Sequence, residues 1–240
     1  MIDWLRKEIS DPAIEIDGRT LPIAIRRHAR ARRMTMRLAP DGSEVRVTLP
    51  PYGRTRDALV FAEARREWIA DQLGAVPEAM PVEPGGFISW RGRDLAIAWD
   101  AAAPRKPSVR GDTLLLGGPR DGLDRRVQRW LEAEALRLMG EDLPHYCRRA
   151  DLPVPQLRLS RARRRWGSCS GKGCIRMNWR LVQAPDHVRR SVVAHEVAHL
   201  VHFDHSPAFH ALLAELFEDD IRPADRWLKE HGRALYAQFG

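Results

Sequence analysis

Cysteine is scarce in this sequence, with three residues among 240, namely Cys147, Cys169 and Cys174. A small, odd number of cysteines argues against a disulfide scaffold and favours a reducing compartment, so we expect a cytoplasmic protein. Cys169 and Cys174 stand close together, but no second pair is present to complete a tetrahedral zinc site. We interpret Cys169 as a small packed residue rather than a nucleophile.

Long apolar runs are missing as well. No stretch approaches the roughly 20 apolar residues that a membrane-spanning helix requires. The first residues, Met1 to Glu8, contain no apolar core of a secretory leader. We therefore expect neither a membrane anchor nor an exported chain.

Lysine is the third scarce residue, although the chain is basic, with a formal net charge of +8. Only four of the 40 basic residues are lysine, so arginine provides almost all of the positive charge. The charges are also segregated: Arg19 to Arg37 contains seven arginines and no acid, and residues 156–180 contain eight basic groups and no acid. A general bias toward arginine explains the choice of residue but not this segregation. The pattern indicates that the arginine-rich segments can bind a nucleic acid or a nucleotide.

Period-two alternation of apolar residues predicts a half-buried antiparallel sheet near the start of the chain. The alternating residues are Leu21, Ile23 and Ile25, then Met34, Met36 and Leu38, then Val45, Val47 and Leu49. A turn is expected at Asp41-Gly42-Ser43, a helix over about 55–73, and a linker over 76–86, which includes Pro77. A second β element contains Leu95, Ile97 and Trp99 with the strand Thr113–Leu116. No internal repeat is predicted.

The pattern becomes helical after residue 119. One helix begins before Val127 and reaches Gly140 or Ala150. Strands are predicted at 156–160, 165–169 and 174–180, with a hairpin turn at Ser170-Gly171-Lys172-Gly173. Helices follow over about 185–201, after Ser206-Pro207, and around Trp227, Leu228, Leu235 and Phe239.

The motif that carries chemistry is His195-Glu196-Val197-Ala198-His199, an H-E-x-x-H sequence. Residues four apart lie on one face of a helix, about 6 Å apart along its axis, so both imidazoles can reach one metal ion. Glu196 lies beside the first histidine, where it can accept a proton from a metal-bound water and return it to a leaving group. The spacing predicts a zinc site with His195 and His199 as ligands and Glu196 as the catalytic base.

A catalytic zinc usually has a third protein ligand. We favour His205, which follows the point where the helix can end and the chain can turn back. His202 shares the helical face, but it lies about 10.5 Å from His195 along a continuous helix, which is too far for one ion. Glu215 and His210 remain rivals as third ligands. Asp204 could orient a histidine through its second ring nitrogen.

The quoted motifs resemble the YgjP-like predicted metal-dependent hydrolases, which are related to the SprT-like and WLM zinc metallopeptidase domains. The matching segments are Arg165-Trp166-Gly167-Ser168-Cys169-Ser170, Asn178-Trp179-Arg180-Leu181 with Pro185, His195 to Leu200, and His205-Ser206-Pro207-Ala208-Phe209; the stretches Ile25-Arg26-Arg27 and Ala29 to Met34 also look like the opening strands of the family. One departure is His210, where the family usually has tryptophan.

The resemblance implies a small zincin core that contains His195, His199 and His205 as zinc ligands and Glu196 as the base. We therefore predict an α+β fold with an antiparallel β-rich region at 1–118 and a zincin-like catalytic domain at 119–240. The function expected is that of a zinc-dependent metallopeptidase with a protein or peptide substrate. Two alternatives stay open: a nucleotide phosphoanhydride hydrolase, and a nucleic-acid-binding protein with a non-catalytic metal site.

Overall fold

The structure is a computed structural model that describes residues 11–39, 42–74, 76, 80–171 and 173–239. Within these ranges the chain forms six α-helices and three small sheets, which confirms the predicted α+β class. It divides into two units, Met1–Glu78 and Ala79–Gly240. No helix in the described ranges has the length and apolar character needed to cross a membrane.

The first unit contains a four-stranded sheet in the order β1-β2-β4-β3. The strands are β1 (Ala13–Ile16), β2 (Arg19–Arg27), β3 (Thr35–Leu38) and β4 (Val45–Leu49). The alternation predicted their buried positions, but β2 and β4 run parallel, so the sheet is mixed rather than antiparallel throughout. β3 lies at the edge of the sheet. β4 lies between β2 and β3 and pairs with both.

Two helices cover this sheet where the sequence predicts one. α1 (Thr55–Glu63) and α2 (Arg66–Gly74) are separated at Ala64 and Arg65, where the Arg65 amide bonds to the Ala62 carbonyl in a tightened turn. The break lets both helices bury residues against the sheet, including Ala58, Ala62 and Ile69.

The second unit begins with another four-stranded sheet, in the order β5-β6-β8-β7. Its strands are β5 (Phe87–Trp90), β6 (Arg93–Trp99), β7 (Ser108–Arg110) and β8 (Thr113–Leu116). The pairing repeats that of the first sheet: an antiparallel hairpin, a parallel pair, and an antiparallel pair at the other edge.

The two sheets also share sequence, which corrects the expectation that no internal repeat is present. Both hairpins turn through a residue pair with positive φ, Asp17-Gly18 in the first and Arg91-Gly92 in the second. Six residues recur at a constant offset: Ile14, Gly18, Arg19, Leu21, Ile23 and Ala24 return as Ile88, Gly92, Arg93, Leu95, Ile97 and Ala98. The repeat is not evident from the sequence alone, because the later strands of the two sheets share their pairing pattern but not their residues.

The remainder of the second unit is helical around a third sheet. α3 (Leu123–Arg149) runs through Pro144 and packs against the β5–β8 sheet in one core. Strands β9 (Gln156–Ser160), β10 (Gly167–Cys169) and β11 (Cys174–Asn178) form a sheet in the order β10-β11-β9, with β10 and β11 as the predicted hairpin. The predicted strand over 174–180 stops at Asn178, because residues Trp179–Val182 form a 3₁₀ turn.

Three further helices complete the second unit: α4 (Asp186–Ala198), α5 (Pro207–Leu216) and α6 (Ile221–His231). Ser206 caps α5 and Pro207 occupies its first turn, as predicted. The predicted last helix is shorter than expected, since α6 ends at His231 and Leu235 lies in a separate 3₁₀ turn, Ala234–Tyr236.

The predicted domain boundary at residue 118 follows the change in sequence character and stays a prediction. The observed units divide after residue 78, and the β5–β8 sheet shares its core with α3. Several residues named in the sequence analysis lie outside the described ranges: Met1 to Glu8, Asp41, Pro77 and Lys172.

Candidate metal centre

The three histidines of the predicted centre come from the end of one helix and from the loop that follows it. His195 and Glu196 lie in the last turn of α4, and His199 is the residue that ends this helix. His205 precedes Ser206, the residue that caps α5. The chain thus turns back between two helices, as the position of His205 in the sequence suggests.

The structure brings the ring nitrogens of these histidines together. The Nε2 atom of His195 lies 3.1 Å from Nε2 of His199 and 3.2 Å from Nε2 of His205. Ligands about 2.05 Å from a tetrahedral zinc would stand about 3.3 Å apart, so both separations from His195 match those expected between ligands of one zinc ion. The ligand atoms of all three residues lie within 4.8 Å of one another. Burial and the neighbouring His199, His205 and His210 lower the pKa of His195 to about 4, and this favours the neutral imidazole that binds metals.

Phe209 lies against this cluster. It is fully buried, and its ring centroid lies 4.9 Å from His195, 4.5 Å from His199 and 4.9 Å from His205. The ring stacks on His199 and meets the other two edge to face. Phe209 therefore restricts the orientations of all three imidazoles, a role that its place in the sequence does not reveal.

The other candidates take different positions. His202 offers its backbone carbonyl, 2.9 Å from Nδ1 of His199, which leaves Nε2 of His199 to face the cluster. The side chain of Asp204 accepts a hydrogen bond from the Ser206 amide instead of one from a histidine ring. Glu215 is exposed and contributes no atom to the converging group, and neither does His210, whose ring centroid lies 6.3 Å from that of His205.

Glu196 lies beside this group with its side chain turned into the protein. The residue is only 5% exposed, and burial raises the pKa of its carboxyl to about 7. The positive charge of Arg165 and a hydrogen bond from the Cys169 backbone amide act in the opposite direction. Its Oε2 atom has no hydrogen-bond partner among the described residues, a costly arrangement for a buried oxygen. A buried carboxylate oxygen without a partner, next to three converging imidazoles, is the arrangement expected where the imidazoles bind a metal ion and the carboxylate faces a water molecule on that ion.

Gly167 makes room for the Glu196 side chain. A Cβ atom added to Gly167 would lie 2.6 Å from Cγ and 2.7 Å from Cδ of Glu196, well inside van der Waals contact. Only glycine therefore allows strand β10 to pass so close to the carboxylate. Sequence analysis did not single out Gly167, although the Trp-Gly-Ser-Cys motif contains it.

Strand β10 is also the edge of its sheet. The carbonyl of Trp166 and the amide of Ser170 bond to the β11 segment, so by alternation the backbone groups of Gly167 and Cys169 point away from it. The Cys169 amide on this outer edge is the group that donates to Glu196. The Cys169 thiol itself is half-buried, and burial raises its pKa, which keeps it protonated.

The basic segment before α4 divides into two groups. Most of its described arginines are exposed, and these are Arg158, Arg161, Arg163, Arg164, Arg165 and Arg176. Arg180, by contrast, is 4% exposed, with its guanidinium 4.7 Å from the ring centroid of Trp179 and 4.5 Å from that of Tyr236. Arg180 is therefore a core residue rather than part of a phosphate-binding surface.

The start of helix α4 is held by the turn between β5 and β6. The amides of Arg91 and Gly92 donate to the carbonyls of Val182 and Gln183, at 2.7 and 2.9 Å. The Arg91 guanidinium also pairs with the Asp186 carboxylate at 2.5 Å. The repeated β module thus fixes the beginning of the helix that carries His195 and Glu196.

Comparison with known proteins identifies a family for the chain. No curated protein and no solved structure matched the chain. A family model described as YgjP-like, metallopeptidase domain, matches residues 32–231. This range contains the converging histidines, Glu196 and the strand beside them, and it covers most of the sequence. The chain therefore belongs to the YgjP-like metallopeptidase family.

Proposed function

We propose that the protein is a zinc-dependent peptidase in which His195, His199 and His205 hold the metal and Glu196 is the general base. The observation that carries this proposal is the convergence of three Nε2 atoms, 3.1 and 3.2 Å apart, beside a buried carboxylate. Family membership supports a metal-dependent hydrolase, and a set of three imidazole ligands favours zinc.

Each residue around the site has a separate task. A bound zinc ion supplies a Lewis acid that polarises a carbonyl and acidifies water. Glu196 accepts the proton of the attacking water and delivers it to the amine that leaves. A pKa near 7 suits both steps at neutral pH, because the carboxylate is basic enough to accept the proton and acidic enough to release it. Phe209 and the His202 carbonyl keep the imidazoles oriented.

The outer edge of β10 is the surface on which we expect an extended substrate to lie. The Cys169 amide on this edge already donates to Glu196. Gly167 directs its amide and carbonyl, and Cys169 its carbonyl, toward the same edge, and a peptide strand can pair with these groups. Such pairing recognises the main chain and not particular side chains, so it favours a peptide over a nucleotide. The same strand contacts Glu196, which would place a bound peptide beside the base.

The test compares the wild type with Glu196→Gln and with Glu215→Gln as the matched control, since Glu215 is exposed and lies outside the histidine cluster. Zinc content is measured on each purified protein, and hydrolysis is assayed with unfolded protein, DNA-bound protein and nucleoside triphosphates. We expect all three proteins to bind about one zinc ion. Glu196→Gln should lose hydrolysis of the protein substrates by about 100-fold or more, whereas Glu215→Gln should retain it.

Three results would contradict the proposal. Absence of stoichiometric zinc from the wild type would exclude the proposed metal site, and full activity of Glu196→Gln would exclude Glu196 as the general base. Hydrolysis of nucleoside triphosphates alone would replace peptidase activity with phosphoanhydride hydrolysis. If salt-dependent nucleic-acid binding is the sole measurable property, the chain is instead a binding protein with a non-catalytic metal.

A further inference from the structure

A groove in the N-terminal unit is not explained by the metal centre. It has a volume of about 360 Å³ and is lined by Arg33, Met34, Thr35, Met36, Phe61, Arg65 and Trp68. One wall is the chain entering and forming β3, and the opposite wall is formed by α1, α2 and the break between them. None of these residues belongs to the histidine cluster.

The groove follows the backbone of an edge strand. β3 pairs with β4 on one side, and within the described ranges no strand pairs with its other side. Arg33 and Met34, which lead into β3, line the groove together with Thr35 and Met36, the first two residues of the strand. The side chains of Thr35 and Met36 point to opposite faces of the strand, yet both line the groove. The groove must therefore pass along the strand edge, where unpaired amides and carbonyls can accept another strand.

The walls of the groove combine apolar and basic groups. Met34, Met36 and Phe61 are half-buried at the border of the core, and the Trp68 side chain remains 38% exposed. Arg33 and Arg65 are both exposed, and neither forms an ion pair with a carboxylate in the described part of the chain. The seven lining residues include no acid.

We propose that this groove binds an extended peptide segment of alternating apolar and acidic residues, contributed by a partner protein, which adds as a strand to the free edge of β3. Its apolar side chains enter between Met36 and Trp68, and its carboxylates pair with Arg33 and Arg65. A single-stranded nucleic acid fits less well. Successive bases need successive open aromatic faces, and the Arg65 guanidinium already lies 4.7 Å from the centroid of the Phe61 ring, which leaves Trp68 as the one open aromatic ring among the lining residues.

Binding is measured by fluorescence anisotropy on the full chain, with a labelled peptide of about ten alternating valine and glutamate residues as the probe. Two comparison peptides separate charge from strand pairing: one carries lysine in place of glutamate, and one is N-methylated at alternate amides. A labelled oligothymidylate tests the nucleic-acid alternative. Because no hydrolysis is measured, the result is independent of the proposed peptidase activity, and the Glu196→Gln variant should bind as the wild type does.

We expect the valine–glutamate peptide to bind, and the lysine and N-methylated peptides to bind at least about tenfold more weakly. The double variant Arg33→Glu/Arg65→Glu should weaken binding by about tenfold or more, and Trp68→Ala should weaken it as well. The matched control is Arg19→Glu/Arg56→Glu, which reverses two exposed arginines of the same unit outside the groove. Circular dichroism of every variant establishes that the fold is retained.

Several outcomes would overturn the proposal. Equal loss of binding in both double variants would show non-specific attraction to a basic unit. Equal binding of the N-methylated peptide would exclude strand addition. Tighter binding of oligothymidylate, lost in Arg33→Glu/Arg65→Glu, would assign the groove to nucleic acid. Concentration-dependent dimerisation that Trp68→Ala abolishes would assign it to a second copy of the chain.

Discussion

At the scale of single residues, the position of Glu196 depends on groups that lie far from it in the sequence. The H-E-x-x-H spacing places the side chain beside His195, but Gly167 leaves the space that it occupies, and the Cys169 amide donates a hydrogen bond to it. The tripeptide Gly167-Ser168-Cys169 therefore positions the Glu196 carboxylate, and this gives the motif a physical role.

Substitution of Gly167 tests this role. In Gly167→Ala, the new methyl group and the Glu196 side chain cannot both keep their places, so we expect hydrolysis to fall by about tenfold or more with zinc content unchanged. Gly171→Ala is the matched control, because Gly171 lies in the same hairpin and a Cβ there meets nothing within 4 Å. Equal activities of the two variants would show that Gly167 does not position the base.

At the scale of secondary-structure elements, the turn between β5 and β6 is tied to the start of the helix that carries the site. Gly92 has a φ of +75°, and a Cβ there would lie 2.9 Å from Cα of Pro185. The corresponding Gly18 of the first module has a φ of +76° and nothing within 4 Å. The two glycines therefore share one backbone conformation, but only Gly92 has a close neighbour, Pro185.

We expect Gly92→Ala to lower the unfolding temperature and the zinc affinity, because it adds a steric conflict with Pro185 to the cost of a left-handed alanine. Gly18→Ala incurs only the backbone cost and should leave zinc affinity unchanged. Thermal unfolding and competition with a metal chelator measure the two effects. A Gly18→Ala variant that loses as much zinc affinity as Gly92→Ala would refute this role of the turn.

The ion pair at the same junction gives stability that depends on pH. Burial alone would raise the pKa of Asp186, but hydrogen bonds and charge from Arg91 and Arg189 outweigh it and lower the pKa. A carboxyl whose folded-state pKa is depressed stabilises the fold above its unfolded pKa of about 3.9 and loses this contribution as the pH falls further.

Asp186→Asn should therefore lower the unfolding temperature at pH 7, and the difference from wild type should shrink below about pH 4. Asp112→Asn is the control, because the Asp112 side chain is 81% exposed in its ion pair with Arg93. The measurement is thermal unfolding from pH 3 to 8. A difference between wild type and Asp186→Asn that is constant over this range would contradict the assignment.

At the scale of the whole molecule, the described residues of each unit form a main hydrophobic core of their own. One is formed within Met1–Glu78 and includes Ile69, and the other lies within Ala79–Gly240 and includes Leu131. Both of these side chains are fully buried. Because each unit closes its own core, each has the basis for its own cooperative transition.

Core truncations should act on one unit at a time. Ile69→Ala and Leu131→Ala each remove a buried side chain, at a cost of about 2–5 kcal/mol to the unit concerned. We expect calorimetry to show two transitions, of which each variant shifts one, and Leu131→Ala alone should impair zinc binding on heating. A single transition shifted equally by both variants would show that the units unfold together.

Much of the fold and of the candidate site can be predicted from the sequence, because local periodicity encodes it. Apolar alternation identifies β2, β3, β4, β6 and β8, and Ser206-Pro207 marks the start of α5. Alternation is equally compatible with parallel and antiparallel pairing, so it does not reveal that β4 lies between β2 and β3. The break at Ala64 and Arg65 contains neither glycine nor proline, so the local sequence does not mark it either.

The sequence by itself determined the family of the protein and the pair His195 and His199 with Glu196 between them, because four residues of helix bring two side chains to one face. The tertiary structure decided which further groups meet this pair. It placed His205 in the cluster rather than Glu215 or His210, packed Phe209 against the rings, and set Gly167 beside Glu196. These contacts join residues from separate elements, so they depend on how the chain turns back and packs, which short-range spacing does not encode.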